Sequence, residues 1–302
     1  MQHEAKLERF LIGLRGLGLL RAWPFGDPVE ADEQLRIIAD MLAHRSEPPM
    51  SEALDVELLD LDGGYAAWAE TYDDPGNALI EIEEGVLRSI LGGMPPGDAA
   101  DIACGTGRVT EFLAELGHHV IGVDPSEAML ERARLRATSG EFRRGSFDAL
   151  PVADSAVDLV TCSLALTHTT DLGPAMREFA RVVRPGGRVV TTDLHPVAVA
   201  TGAQAFFRRA DGSRGVVVNE QHWVSDYVDA SADAGLVIER CFEPLVEEGL
   251  KIGFGSDEIR EAADVSLTGL PIALIWVLRR GEESVDDVVG ERRSDEKAGG
   301  AR

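Results

Sequence analysis

Cysteine, aromatic residues and positive charge are all scarce in this sequence. Its three cysteines, Cys104, Cys162 and Cys241, are odd in number and widely spaced, which argues against a disulfide framework or the paired spacing of a metal knuckle. A reducing cytoplasm is the compartment such usage predicts. Against 53 Asp+Glu stand only 29 Lys+Arg, a formal net charge of −24, so the protein's field repels phosphate backbones and anionic lipid. Neither nucleic acid nor a membrane is therefore expected as a partner. No apolar run approaches the roughly 20 residues that a bilayer span needs. The one N-terminal apolar stretch, FLIGLRGLGLL, is interrupted by Arg15, preceded by Glu4 and Glu8, and followed by no small-x-small site, so it does not read as a secretory signal.

What is present is a chain of 302 residues, 44% hydrophobic, enough for one large domain or a domain of about 200 residues with additions. No internal repeat is visible, and four regions follow one another. Residues 1–60 read as a helical extension: Leu7, Phe10, Leu11, Leu14 and Leu17 keep helical spacing, and Asp27 with Pro28 opens a second helix. That extension would cover a site, pair with a second subunit, or simply pack on the core. Residues 61–280 form the main domain. Its first part alternates short apolar strands (AADIA, HVIGVD, VDLVTCS, GRVVTTD) with helices over 109–116, 126–137 and 174–183, the pattern of a parallel sheet with crossover helices. Residues 194–224 lack periodicity and read as an insertion over the strand ends. A helix capped by Ser225 and ended by Gly235 follows, then the strands LVIERCFEPL and PIALIWVLRR; with no full helical crossover between them, they predict an antiparallel edge. Residues 281–302 are charged and Gly-rich, the composition of a disordered tail.

The stretch DIACGTGRV, residues 101–109, is where the chemistry concentrates. Gly105 and Gly107 leave no side chain between backbone and ligand, and the helix after them offers free N–H groups. Asp124 ends the next strand 23 residues after Asp101, at the spacing where a carboxylate accepts hydrogen bonds from a ribose diol. A nucleoside is therefore the expected ligand, either a nicotinamide dinucleotide or S-adenosylmethionine. The dinucleotide fingerprint wants a third glycine where Thr110 stands, and Asp101 would oppose a pyrophosphate. Asp101 suits an α-ammonium, which favours S-adenosylmethionine.

On DIACGTG, VIGVDPSEAML, GSFDALPVADSAVDLVTCSLALTH and REFARVVRPGGRVVTTDLHP, the sequence resembles the class I S-adenosylmethionine-dependent methyltransferases, in particular the ubiquinone/menaquinone-biosynthesis-like branch that acts on small molecules. The resemblance is close over about residues 65–194 and looser to about 280. It implies an α/β fold: a Rossmann-like, seven-stranded, doubly wound sheet with an antiparallel edge strand, here with an N-terminal helical extension and an inserted cap. It implies S-adenosyl-L-methionine as cofactor and S-adenosyl-L-homocysteine as product. Asp101, Ala103, Gly105 and Gly107 would hold the methionine and ribose side, Asp124 with Pro125 the ribose hydroxyls, Ser146 and Phe147 the adenine, and Ser163 with Leu164 would lie beside the methionine portion. Two positions depart from the family: Ala103 stands where glycine is common, a change expected to matter little. Ser146 stands where aspartate is common, leaving adenine to the Phe147 amide and a neighbour such as Asp148. YAAWAETYDDPGN, residues 65–77, looks like the family's aromatic segment ahead of the domain, with Tyr72 reaching the cofactor carboxylate or lining the substrate pocket and Trp68 packing nearby.

Methyl transfer from a sulfonium is an in-line displacement that needs alignment and a dry pocket; a base is needed only where the acceptor must lose a proton. His168, His195 and His222 follow strands or precede the late helix and are the candidate bases, whereas His118 and His119 read as a solvated turn at the opposite end of the sheet. Cys162 reads as core. Asp171, Asp193 and Glu220 carry no spacing that demands a metal, so none is expected. Phe206, Phe207, Trp223 and Phe254 are the expected pocket aromatics, and they suit a partly apolar or aromatic small molecule. The expected activity is methyl transfer to such a molecule, in specialised metabolism by analogy with the family, from a monomer or homodimer. The alternative is a protein of the same fold that binds S-adenosylmethionine for another reaction or acts as an accessory subunit.

Overall fold

The computed structural model describes residues 2–23, 25–47, 53–75, 77–249 and 257–282. In chain order the elements are β1 (Gln2–Lys6), α1 (Leu7–Ala22), α2 (Pro28–Ala43), β2 (Ala53–Leu59), α3 (Leu61–Trp68), α4 (Ala78–Gly92), β3 (Asp98–Ile102), α5 (Arg108–Glu115), β4 (His119–Asp124), α6 (Glu127–Arg136), β5 (Glu141–Arg144), β6 (Val157–Ser163), α7 (Leu172–Val182), β7 (Val183–Leu194), α8 (Pro196–Ala200), β8 (Ala205–Arg208), β9 (Arg214–Val217), α9 (Val224–Asp233), β10 (Leu236–Phe242), α10 (Asp257–Leu267) and β11 (Ala273–Arg280). None of the helices searched among the described residues is long and apolar enough to cross a membrane.

Seven strands build the main sheet in the order β10-β11-β7-β6-β3-β4-β5. β3 pairs in parallel with β4 on one side and β6 on the other, so the strand order reverses at β3, and a ligand crevice opens outside the carboxyl ends at such a point. Central strands of this kind are covered on both faces and read as continuous apolar runs. β6 does so, with Val157, Leu159, Val160 and Cys162 all buried. α7 covers one face with Leu172, Ala175, Met176, Phe179, Ala180 and Val182, the i, i+3, i+4, i+7 stripe of a core-facing helix. On the other face Leu87 and Leu91 of α4 meet Val109 and Leu113 of α5.

The doubly wound architecture agrees with the sequence reading, and several details differ from it. The antiparallel strand is β11, one place in from the edge, with β10 outside it, and α10 lies between the two in the chain. Residues 1–60 are not helical throughout. β1 and β2 pair antiparallel, β2 runs parallel to β9, and β9 pairs antiparallel with β8, giving a second sheet in the order β1-β2-β9-β8. The insertion over 194–224 thus holds α8, β8 and β9, each only four or five residues long, too short to print a period. α1, α2 and α10 close a separate small core through Leu11, Met41, Ile259 and Ala262. Helix α9 starts two residues earlier than expected, with Trp223 rather than Ser225 in the cap position and its N–H donating to Asp226 at 2.6 Å. His118 is not solvated: it is buried, its Nδ1 accepts the Gly97 N–H at 3.2 Å, and burial lowers its pKa. The expected tail beyond Glu282 and the aromatic Phe254 lie outside the described residues.

Candidate active site

The site grows from the turn after β3. Ala103 and Gly105 both take positive φ, +52° and +53°, and a side chain on Gly105 would meet no atom within 4 Å. Gly105 therefore opens the backbone to the crevice. Gly107 works differently: at φ +84° its Cβ would come within 3.1 Å of Ala133, so it permits α5 to pack on α6.

Asp124 ties this turn to the end of β4. Its Oδ2 accepts the Gly105 N–H at 2.8 Å and its Oδ1 the Ser126 N–H at 2.8 Å. Each oxygen keeps a lone pair, the arrangement that two vicinal hydroxyls can approach. Burial pushes its carboxyl up to about 6, and the amides of Ser126 and Gly105 oppose that rise. Beside it the Ser126 hydroxyl is buried without a hydrogen-bond partner. An unpaired buried hydroxyl is costly, and with the open face of Gly105 it fits a polar nucleoside seated on this turn.

Asp101 is buried and held on both oxygens by threonines. Its Oδ2 accepts from Thr110 at 2.6 Å and its Oδ1 from Thr161 at 2.8 Å, and burial pushes it up to about 6. Thr110 thus has a task of its own where a dinucleotide loop would carry glycine.

One member of the site was not foreseen. Glu83, on α4, is fully buried; it is ion-paired with Arg108 and accepts hydrogen bonds from Thr192 and, at 3.2 Å, from Ser163, whose hydroxyl also lies 2.8 Å from that of Thr192. Burial raises its pKa, and Arg108 is the main opposing influence. The sequence does carry a signal for it, since Glu83 stands on the apolar stripe of α4 with Ile80, Leu87 and Leu91, where a charge needs a reason to be. Strain gathers at the same end of the sheet: Leu164, just past β6, takes φ +56°, an unusual conformation for a leucine.

An aromatic wall faces this turn. Tyr65, Trp68 and Tyr72 lie ring to ring at 5.0–6.2 Å, and Trp68 stacks on Phe207 of the insertion at 5.0 Å and 11°. Burial pushes Tyr72 up to about 12, with Arg108 opposing and Glu83 adding to the rise, so its hydroxyl stands near that ion pair. The following turn is fastened to the glycine segment: Asp73 accepts from Thr106 at 2.9 Å and pairs with Arg136 at 3.0 Å. Ser146 and Asp148 are exposed and hydrogen-bonded to each other, Phe147 packs against the core, and the Pro125 carbonyl accepts from Arg144 at 2.9 Å.

The three histidines have separate surroundings. His168 Nδ1 lies 3.1 Å from the Val218 carbonyl, which can only accept, so Nδ1 donates and Nε2 accepts the Tyr65 hydroxyl at 2.6 Å. His195 caps α8: its Nδ1 accepts the Val197 N–H at 3.1 Å and its Nε2 donates to Glu243 at 3.0 Å, which leaves no lone pair for proton abstraction. His222 donates from Nε2 to the Thr169 carbonyl at 2.6 Å and stands edge-on to Tyr227. Tyr227 in turn donates to the buried Asp193 at 3.0 Å. Asp171 accepts the Gly173 N–H at the start of α7, and among the described residues no group of three or more His, Cys, Asp or Glu is arranged to hold a metal. Trp223 and Phe206 are exposed, and Phe207 is buried against Trp68.

Residues 100–191 match a family described as "Methyltransferase domain". The chain is 32% identical over 164 residues to a malonyl-[acyl-carrier protein] O-methyltransferase of Yersinia pestis, covering 54% of this chain and 60% of that protein. It is 36% identical over 107 residues to a demethylmenaquinone methyltransferase of Renibacterium salmoninarum, covering 35% and 45%. The chain thus spans about half to three fifths of the length of the curated relatives it matches. Among solved structures, an S-adenosylmethionine dependent methyltransferase from Mesorhizobium loti superposes with a TM-score of 0.52 at 25% identity, over 66% of this chain and 98% of that one. Ordered motifs, the glycine turn pinned by Asp124 and a shared sheet topology point the same way: residues 100–191 match a methyltransferase domain, and the chain is similar in sequence and fold to S-adenosylmethionine-dependent methyltransferases.

Proposed function

We propose that the protein transfers a methyl group from S-adenosyl-L-methionine to a small-molecule acceptor and releases S-adenosyl-L-homocysteine. The observation that carries this reading is the Asp124 carboxylate, held by the Gly105 and Ser126 amides and still able to accept from a ribose diol. The bound sulfonium supplies an activated methyl group; the chain's own residues bind, orient and exclude water around it. Gly105 and Asp124 hold the ribose side, Ser126 joins them, and Phe147 with Ser146 and Asp148 borders the adenine. The methionine end reaches the cluster of Glu83, Arg108, Ser163 and Tyr72. Asp101 acts beneath the turn, through Thr110 and Thr161, to hold its shape.

The acceptor chamber lies between the aromatic wall of residues 65–72 and the insertion of residues 194–224, which Trp68 and Phe207 join. The acidic surface fits an uncharged small molecule better than a nucleic acid or a lipid surface. The N-terminal helices and the second sheet back this wall in a monomer or homodimer of the cytoplasm.

Calorimetric titration with S-adenosylmethionine, S-adenosylhomocysteine and NAD tests the reading. Micromolar binding of both adenosyl ligands and none of NAD is expected. Asp124→Ala removes the ribose acceptor and leaves two buried amides unpaired, a cost of about 1–3 kcal/mol, and is expected to weaken both adenosyl ligands at least tenfold while the variant still melts cooperatively. NAD binding alone, or no binding by the native protein, would overturn it.

A further inference from the structure

A hydroxyl on α3, opposite the glycine turn, has an arrangement that cofactor binding does not require. Tyr65 places its oxygen 2.6 Å from His168 Nε2, while His168 Nδ1 donates to the Val218 carbonyl at 3.1 Å. The tyrosine hydrogen is therefore committed to the histidine, and the tyrosine oxygen has lone pairs left to accept a hydrogen from something else. His168 follows β6 and Val218 follows β9 of the insertion, while Asp124 and Asp193 stand at the carboxyl ends of β4 and β7. The hydroxyl held by His168 therefore lies at the carboxyl end of the main sheet, beside the insertion, where a methyl acceptor has to lie. Flat rings wall it: Trp68 at 5.7 Å and Tyr72 at 6.2 Å.

We infer that Tyr65 accepts the proton of the methyl acceptor, with His168 behind it, and that the acceptor is a hydroxyl on an aromatic ring. The inference rests on the methyltransferase reading and narrows its substrate class. A carboxylate acceptor brings no proton and would enter beside Asp124 and Asp193, whereas a neutral aryl hydroxyl donates to Tyr65 and stacks among the rings. In the step, the acceptor oxygen forms its bond to the methyl carbon as the carbon–sulfur bond breaks and that electron pair returns to sulfur, discharging the sulfonium. The acceptor's hydrogen passes to the Tyr65 oxygen as the tyrosine's own hydrogen passes to His168 Nε2. The products are an aryl methyl ether, S-adenosylhomocysteine and one proton, held by His168 and then given to solvent. Protonated His168 keeps both hydrogen bonds, now as donor in each, so no side chain has to turn. Burial lowers the His168 pKa, which keeps the ring neutral and ready at neutral pH. The groups that bear on the pair are Tyr72, Asp124 and Asp193.

The full-length protein saturated with S-adenosylhomocysteine is titrated with 4-nitrophenol, at a pH where the free phenol is mostly protonated, and the phenolate absorbance is followed. The expected result is a phenolate band on binding that Tyr65→Phe and His168→Gln both abolish, with S-adenosylhomocysteine affinity by calorimetry unchanged in both. Glutamine at 168 still accepts from Tyr65 but cannot take its proton, so its loss of the band separates proton transfer from packing. In the native protein the band should fade in acid as His168 protonates. Absence of the band in the native protein, or its persistence in Tyr65→Phe, overturns the inference. Failure of the native protein to bind S-adenosylhomocysteine is a different result, and sinks the methyltransferase reading itself.

Discussion

Ala103 follows β3 with φ +52°, a left-handed conformation that costs an L-residue roughly 1–2 kcal/mol. The methyl group is small, but the backbone it sits on is strained. Ala103→Gly removes the strain and gives back about 0.4–1 kcal/mol through the freer unfolded chain. A net gain of up to about 1 kcal/mol is expected in urea unfolding, and a loss would mean that the methyl packs usefully. Glu83→Ala has the opposite sign. It leaves Arg108, only partly exposed, without its carboxylate, and breaking a buried pair from one side costs about 3–5 kcal/mol. The lower end is expected here, with part recovered when Arg108→Met is added, both read from thermal melts. Residue by residue, legibility in the sequence followed range. Asp124 was visible because its spacing from Asp101 is local to one β-α-β unit. Glu83 was visible only as a charge on an apolar stripe, and the Tyr65–His168 bond was not visible at all, because 103 residues separate its ends.

Strands and helices were legible where burial on both faces forces an apolar run. β4 and β6 fall on HVIGVD and VDLVTCS. β5 (EFRR) borders the sheet on one side only, so nothing compels its residues to be apolar. β1 and β2 exist because each found a partner strand rather than because either announces itself. The segment between α3 and α4 is likewise a product of tertiary contacts. Asp73, Thr106 and Arg136 form a closed ring in which Arg136 donates to Asp73 and to Thr106 at 2.9 Å, and Thr106 donates to Asp73. That ring straps the aromatic wall to the glycine turn. Arg136→Ala opens it at a partly exposed position, where such a network is worth about 0.5–1.5 kcal/mol. Faster dissociation of S-adenosylhomocysteine, by a few-fold to roughly tenfold, is expected in stopped-flow exchange with little change in the melting midpoint. An unchanged dissociation rate would show that cofactor release does not pass this strap.

For the molecule as a whole, the decisive quantity is where its negative charge sits. Three carboxyls at the carboxyl ends of the main sheet, Asp101, Asp124 and Asp193, are each pushed up to about 6 by burial. An acid whose folded pKa lies above its unfolded value binds its proton more tightly in the fold, so between the unfolded value near 4 and about 6 the native state holds more protons and stability falls as pH rises. The penalty is complete above about 6 and relieved in mild acid. Relief of the repulsion within a chain of net charge −24 has the same sign. Glu141, Asp158, Glu178 and Asp211, each held below its ordinary value by hydrogen bonds or an arginine, act the other way, and their contribution is lost as pH falls below about 4. The ligand-free protein is therefore expected to melt highest near pH 5 to 5.5, several degrees above pH 7.5, since about 1 kcal/mol moves a midpoint by roughly 2–4 °C at this size. Salt separates the two causes. At 1 M the screening length is about 3 Å, so the surface part of the gain should vanish and the part from the buried carboxyls remain. Cofactor affinity should run against stability. On the proposed role of ionised Asp124 as acceptor of the ribose diol, S-adenosylhomocysteine binding should weaken as pH falls through about 6, in the range where the empty protein grows more stable. If affinity and melting midpoint instead fall together below pH 6, loss of the fold rather than protonation of Asp124 governs binding in acid, and the ribose role of that carboxylate fails.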